Sequence, residues 1–227
     1  MVTLLAEDLL LLLTDDETGK RADSYLDVLL GGSMLIELAG DGLLEVRRTG
    51  RWSQAKVHVL TDPAPPADPL LAEALATVRE KERTAQDLVG RLGKGLRDKL
   101  FARLVDKGIL RLEEGKILGL FPTQRWPAVD SSHENEVRRQ LSATLLHGVS
   151  ADQRTGALIS LLHSADKAHK VLDNQGRPAK EIKARAKAVA EGDWAADAVK
   201  DAIAAAQAAT MTAVMVATTV TTGAGGS

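Results

Sequence analysis

The sequence predicts a mainly α fold: a single globular domain of central apolar helices surrounded by amphipathic helices, with one or two short β-hairpins. Three observations carry this expectation. Only 3% of the 227 residues are aromatic while 44% are hydrophobic, so the core is built from Leu, Ala and Val, and Leu and Ala are strong helix formers. The stretch Leu26 to Val46, LDVLLGGSMLIELAGDGLLEV, is apolar almost without interruption as far as Leu38. A segment apolar on nearly every side belongs in the middle of a domain. Finally, two pairs of short stretches flank turn-forming tripeptides, the pattern of hairpins. The domain is expected to span 1–220, leaving the small, Gly-rich 221–227 as a flexible tail.

Each element follows from local pattern. Leu4 to Leu13 reads as a leucine-rich helix too short to span a bilayer, ended by the turn-forming Asp15 to Lys20. The central helix is expected to begin near Ala22 and to break at Gly40-Asp41-Gly42. Leu43–Arg48 and Ala55–Leu60 flank Thr49-Gly50-Arg51 as a first hairpin. After the prolines at 63, 65 and 66, Pro69 suits the first turn of a helix running to about Lys81. Thr84–Arg91 is a short helix, and the stripe Leu96, Leu100, Phe101, Leu104, Val105 is another, closed by Lys107-Gly108. Ile109–Leu112 and Lys116–Phe121 flank Glu113-Glu114-Gly115 as a second hairpin, and Pro122–Pro127 reads as a loop. Helices are expected at Ser131–Leu146, Asp152–Ala165, Pro178–Glu191 and Asp193–Val220. The uncharged Ile203–Val220 is mostly Ala and Thr, which favours a core helix over a membrane anchor.

Composition and motifs exclude several chemistries. The absence of cysteine rules out disulfides, thiolate metal sites and cysteine nucleophiles, and fits a reducing cytoplasm. Glu7 and Asp8 interrupt the N-terminal apolar run, unlike a secretory signal. No HExxH, CxxC or GxSxG is present, and the histidines lack metal-ligand spacing. The acids of His133-Glu134-Asn135-Glu136 suit a helix start, where they favour the dipole. Gly90 to Gly95 has the look of a phosphate loop without its Gly-Lys-Ser/Thr ending. Gly31-Gly32-Ser33 inside the apolar helix reads as a close-packing site, and Glu37 as a carboxylate that reaches a basic or backbone partner. The expectation is therefore a non-enzyme without cofactor or metal.

Basic residues supply the candidate binding positions. With a net charge of −2, binding to an anionic surface has to come from a local patch. Lys94 and Arg97, three residues apart, read as one helix face offering an ammonium and a planar fork to a phosphate monoester. Gly93 and Gly95 let a ligand approach. Arg47, Arg48 and Arg51 cluster with Trp52 at the first hairpin, and Arg125 and Trp126 follow the second. Trp beside Arg suits a headgroup interface, though Trp is as readily a buried spacer. The helix at Leu96–Lys107 with its hairpin also fits a winged helix, but Asp98, Asp106 and Glu113-Glu114 would repel a phosphate backbone, so no nucleic-acid partner is expected.

These stretches resemble the Golgi phosphoprotein 3 family across nearly the whole chain, about Leu4 to Val220. The carriers are LLAEDLLLLLTDDETG, GGSMLIELAGDGLLEV, DPLLAEAL and LVDKGIL, with RTGALISLLHSAD as a weaker match. Ala- and Arg-rich usage fits a bacterial, actinobacterial form. The resemblance implies peripheral membrane binding from the cytoplasm, through phosphatidylinositol 4-phosphate or another anionic phospholipid headgroup. It implies a pocket of a tryptophan, an arginine and a basic pair. The pair falls on Lys94 and Arg97, the arginine on Gly31, and the tryptophan near Ala22, so two of the four positions have lost their chemistry. Lys20 and Arg21 lie near enough in sequence to replace the lost charge. The resemblance also implies a projecting hairpin near Ile117 to Trp126, with Leu120, Phe121, Arg125 and Trp126 placed to contact a membrane or a second copy of the chain. A role in binding tails of Golgi enzymes does not carry over to a bacterial member. The alternative to lipid binding is a cytoplasmic adaptor or oligomerising module without lipid specificity.

Overall fold

The computed structural model of the chain describes residues 3–14, 25–47, 55–60, 64–117 and 121–191. Among these are eight helices and two separate two-stranded sheets, so the fold is mainly α and forms a single domain. The expected helix over Asp193–Val220 and the tail lie outside the described residues.

Two helices, not one, occupy the centre. α1 (Leu5–Leu13) is buried along its whole length, including Glu7 and Asp8. α2 (Leu26–Gly40) packs against it and buries Leu29, Leu30, Met34, Leu35 and Leu38. The expected start of α2 near Ala22 lies outside the described residues; the helix is in place from Leu26. Around this pair lie α3 (Pro69–Glu80), α4 (Ala85–Gly93), α5 (Leu96–Asp106), α6 (Ser132–Leu145) and α7 (Gln153–Ser164), with α8 (Ala179–Ala190) outside α6 and α7.

Local chemistry sets the helix ends. Asp68 caps α3 by accepting the Leu70 and Leu71 N–H groups, with Pro69 at the first helical position. Thr84 caps α4 and Asp152 caps α7 in the same way. α5 stops at Gly108, whose φ of 70° frees Ile109 to donate back to the Leu104 carbonyl.

Glycine decides how α2 meets α4. A Cβ on Gly31 would lie 1.9 Å from the Val89 carbonyl oxygen, and one on Gly93 would lie 1.8 Å from that of Asp27. The two backbones therefore touch, and the expectation of a close-packing site at Gly31 holds.

The first sheet pairs β1 (Leu44–Arg47) with β2 (Lys56–Val59), as expected; its tip is outside the described residues. The second differs from expectation. β3 (Glu113–Ile117) pairs with β4 (Phe121–Arg125), so Glu113-Glu114-Gly115 lies within a strand and the expected loop over Pro122–Pro127 is mostly strand. Glu113 faces Arg125 and Glu114 faces Gln124, and such cross-strand partners outweigh the turn preference of one glycine. Pro122 is tolerated because a two-stranded sheet consists of edges.

Candidate functional site

The basic pair expected on one helix face is split. Lys94 is the C-cap of α4, and α5 starts only at Leu96. Between them Gly95 has a φ of 72°, a left-handed turn that resets the helical phase. Lys94 is exposed and has no ion-pair partner among the described residues. It lines a shallow cavity of about 60 Å³ with Leu70, Glu73, Arg91 and Lys99. Arg97 is outside that lining; it is half-buried and pairs with Asp98 at 3.0 Å. The neighbouring cations are occupied too: Arg91 by Asp87 at 2.9 Å and Lys99 by Glu73 at 2.6 Å. Lys94 is thus the available cation on this edge among the described residues.

Other basic positions are placed as follows. Arg47 is exposed and pairs with Glu45 on its own strand. Arg21, Arg48, Arg51 and Leu120 lie outside the described residues. Phe121 stands opposite Ile117 in the second sheet. Arg125 is exposed. Trp126 is half-buried and stacks on Phe101 of α5, with ring centroids 4.2 Å apart and planes at 13°. Stacking ties the base of the hairpin to α5 and opens a groove of about 320 Å³ beside Val105 and Leu112.

A denser cluster lies behind α1, of residues to which the sequence assigns no joint role. Glu7 accepts the Leu4 N–H at 2.7 Å, Lys107 Nζ through both oxygens at 2.7 Å, and Arg103 at 3.3 Å. Arg103 also forms a fork on Asp68, at 3.0 and 2.7 Å. Burial works to raise the Asp68 pKa, but the Arg103 and backbone hydrogen bonds prevail and hold it below the usual carboxylate range. Asp8 receives Arg154 from α7 at 2.9 and 2.6 Å, and His133 from α6 at 2.7 Å. Both acids are essentially inaccessible, and buried charge persists in a fold only when paired in this way. The signal was present: two carboxylates inside a leucine run. Their partners lie about a hundred or more residues away, beyond the reach of any periodicity.

Glu37 meets both the basic and the backbone partner expected of it. Its Oε2 accepts the Leu5 N–H at 2.9 Å, and Arg154 Nη1 stands 3.7 Å from Oε1. Burial pushes its pKa up to about 7, against the Leu5 amide and Arg154, which lower it; Asp41 and Asp8 add to the rise.

A family model, that of Golgi phosphoprotein 3, matches residues 5–206. The chain belongs to the Golgi phosphoprotein 3 family. No curated protein matches it. Within this Golgi phosphoprotein 3 domain, the position to which the resemblance assigns an arginine is Gly31, and there the Val89 carbonyl leaves no room for a side chain. Gly31 thus serves a helix–helix contact. No helix among the described residues is long and apolar enough to cross a membrane.

Proposed function

We propose that this member of the family is a non-enzymatic peripheral membrane protein of the cytoplasm that holds an anionic phosphate, from phosphatidylinositol 4-phosphate or another anionic phospholipid, against Lys94. The observation that carries the reading is the exposed Lys94 ammonium without an anionic partner among the described residues, next to the start of α5. The first amides of α5 point toward Gly95, which has no side chain to cover them, and free amides at a helix start favour an anion. Arg97 adds its fork only by leaving Asp98, and Glu73 sets a negative charge nearby. A basic residue near an anionic surface contributes about 1 kcal/mol, so the attachment is reversible. Sedimentation with vesicles tests it: binding follows the anionic lipid and falls in Lys94→Ala. Equal binding to neutral vesicles overturns the reading.

One observation favours a second reading, an adaptor that associates through the second hairpin. The groove beside Trp126 is apolar, and Leu112 on its rim is 44% exposed. Deleting 119–127 then abolishes association while the helical core still folds; an unchanged oligomer counts against it.

A further inference from the structure

The last turn of α2 and the first turn of α7 line an open surface cavity of about 240 Å³. Glu37 forms one wall. Its Oε2 is committed to the Leu5 amide, while Oε1 has no hydrogen-bond partner among the described residues and stands 3.7 Å from Arg154 Nη1, an ion pair beyond hydrogen-bond range. Arg154 commits Nε and Nη2 to Asp8, and Nη2 also to the Thr3 carbonyl at 2.8 Å. Its Nη1 has no hydrogen-bond partner among the described residues. One carboxylate oxygen and one guanidinium nitrogen thus form an ion pair without a hydrogen bond, and each keeps its hydrogen-bonding capacity for a ligand.

The rim repeats the division of charge. Asp41 follows Glu37 by one helical turn and is exposed. Opposite, the Gln153 amide lies over Gly40, where a Cβ would meet its Nε2 at 2.7 Å, and the amide has no hydrogen-bond partner among the described residues. The cavity therefore has an anionic half, Glu37 and Asp41, and a donor half, Arg154 Nη1 and Gln153. An anion alone would be repelled by the carboxylates, and a cation alone would leave Arg154 Nη1 and the Gln153 amide without an acceptor, so a ligand carrying both charges answers every group. We propose that this cavity binds a small zwitterion, a primary ammonium on Glu37 and Asp41 joined by a short linker to a carboxylate or phosphate on Arg154 and Gln153. A free amino acid and a phosphoethanolamine headgroup share that chemistry.

Proton linkage gives the site a signature. An ammonium favours ionised Glu37, which near neutral pH is partly protonated because it is buried. The charged groups facing it are Asp8 from α1, Asp41 from its own helix and Arg154 from α7. Binding therefore releases protons at pH 7 and weakens as the pH falls from 8 to 6.

Calorimetry on the full chain tests this, with glycine and O-phosphoethanolamine as zwitterions and methylamine and acetate as half-ligands. The expected result is a Kd of about 1 mM or tighter for a zwitterion and at least roughly tenfold weaker binding of either half. Glu37→Gln still accepts from Leu5 and lowers the affinity about tenfold. Gln153→Ala, an exposed change that leaves the fold intact, lowers it severalfold. Vesicles containing phosphatidylethanolamine separate the sources: a lipid site binds them, and a free amino-acid site ignores them. Lys94→Ala leaves the glycine isotherm unchanged, so this site and the phosphate site succeed or fail separately. Silence of both zwitterions, equal binding of a half-ligand, or an unchanged Glu37→Gln isotherm overturns the assignment.

Discussion

Lys107 Nζ donates to both carboxylate oxygens of Glu7 at 2.7 Å, across 100 residues of sequence. The contact joins the end of α5 to the start of the buried α1, and Glu7 has no accessible surface. A buried carboxylate deprived of its cation keeps its desolvation cost and loses its compensation, so Lys107→Ala is expected to destabilise the fold by about 3 kcal/mol. Urea unfolding followed by circular dichroism measures the shift. A midpoint unchanged from wild type would show that Arg103 alone neutralises Glu7.

Gly31→Ala places a methyl group 1.9 Å from the Val89 carbonyl oxygen, a distance that only backbone movement relieves. Separating α2 from α4 is expected to cost about 3 kcal/mol or more. Gly31→Arg, which places an arginine where the family resemblance assigns one, is expected to unfold the protein or displace α4. Thermal melting of the two variants and vesicle binding by whatever remains folded distinguish these outcomes.

Glu37 gives stability a pH dependence opposite to that of ordinary paired carboxylates. Its folded pKa is raised to about 7 from 4.5, chiefly by burial. The folded state therefore holds a proton that the unfolded chain releases across this interval. Its contribution is fully present below about pH 4.5 and is lost progressively as the pH rises through 7, amounting to about 3 kcal/mol. Glu37→Gln is expected to remove this slope, so that the variant gains on wild type between pH 5 and 8. Chemical denaturation at several pH values reads the difference directly; parallel curves would contradict it.

Lys94 and Arg97 are expected to contribute unequally to vesicle binding. Lys94→Ala loses an available ammonium, whereas Arg97→Ala loses a fork already engaged by Asp98 at 3.0 Å. Asp98→Asn frees Arg97 and is expected to strengthen binding severalfold at low salt, with the gain fading as salt rises. Sedimentation of the three variants at two ionic strengths measures this ordering.

Trp126→Ala removes a ring stacked on Phe101 and is expected to destabilise the domain by about 2 kcal/mol. If the tryptophan served a membrane or a second copy without supporting the fold, the unfolding midpoint would stay where it is.

Much of this architecture is legible in the residues. The Leu26–Leu38 run, the Asp68-Pro69 helix start, the Lys107-Gly108 stop and the first hairpin are local signals, and each is where the pattern expects it. The second hairpin lies elsewhere than its glycine suggests because its strands are chosen by partners such as Glu113 and Arg125, and one glycine in a window of five residues carries no information about those. The i and i+3 spacing of Lys94 and Arg97 gives one helix face only in a continuous helix, which the left-handed Gly95 interrupts.

Sequence by itself determined the helical class and the apolar α2, which rest on composition and short-range periodicity, and the family, which rests on the order of motifs such as GGSMLIELAGDGLLEV and LVDKGIL; the chain carries all of these without folding. Tertiary structure alone decided that α1 is a second central helix, that Glu7 is neutralised by Lys107 and Arg103 and Asp8 by Arg154, with His133 hydrogen-bonded to Asp8, and that Gly31 is sealed by Val89. The physical reason is range. A buried charge or a backbone contact is settled by whichever group lies within about 4 Å in space, and in this chain those groups come from four other helices.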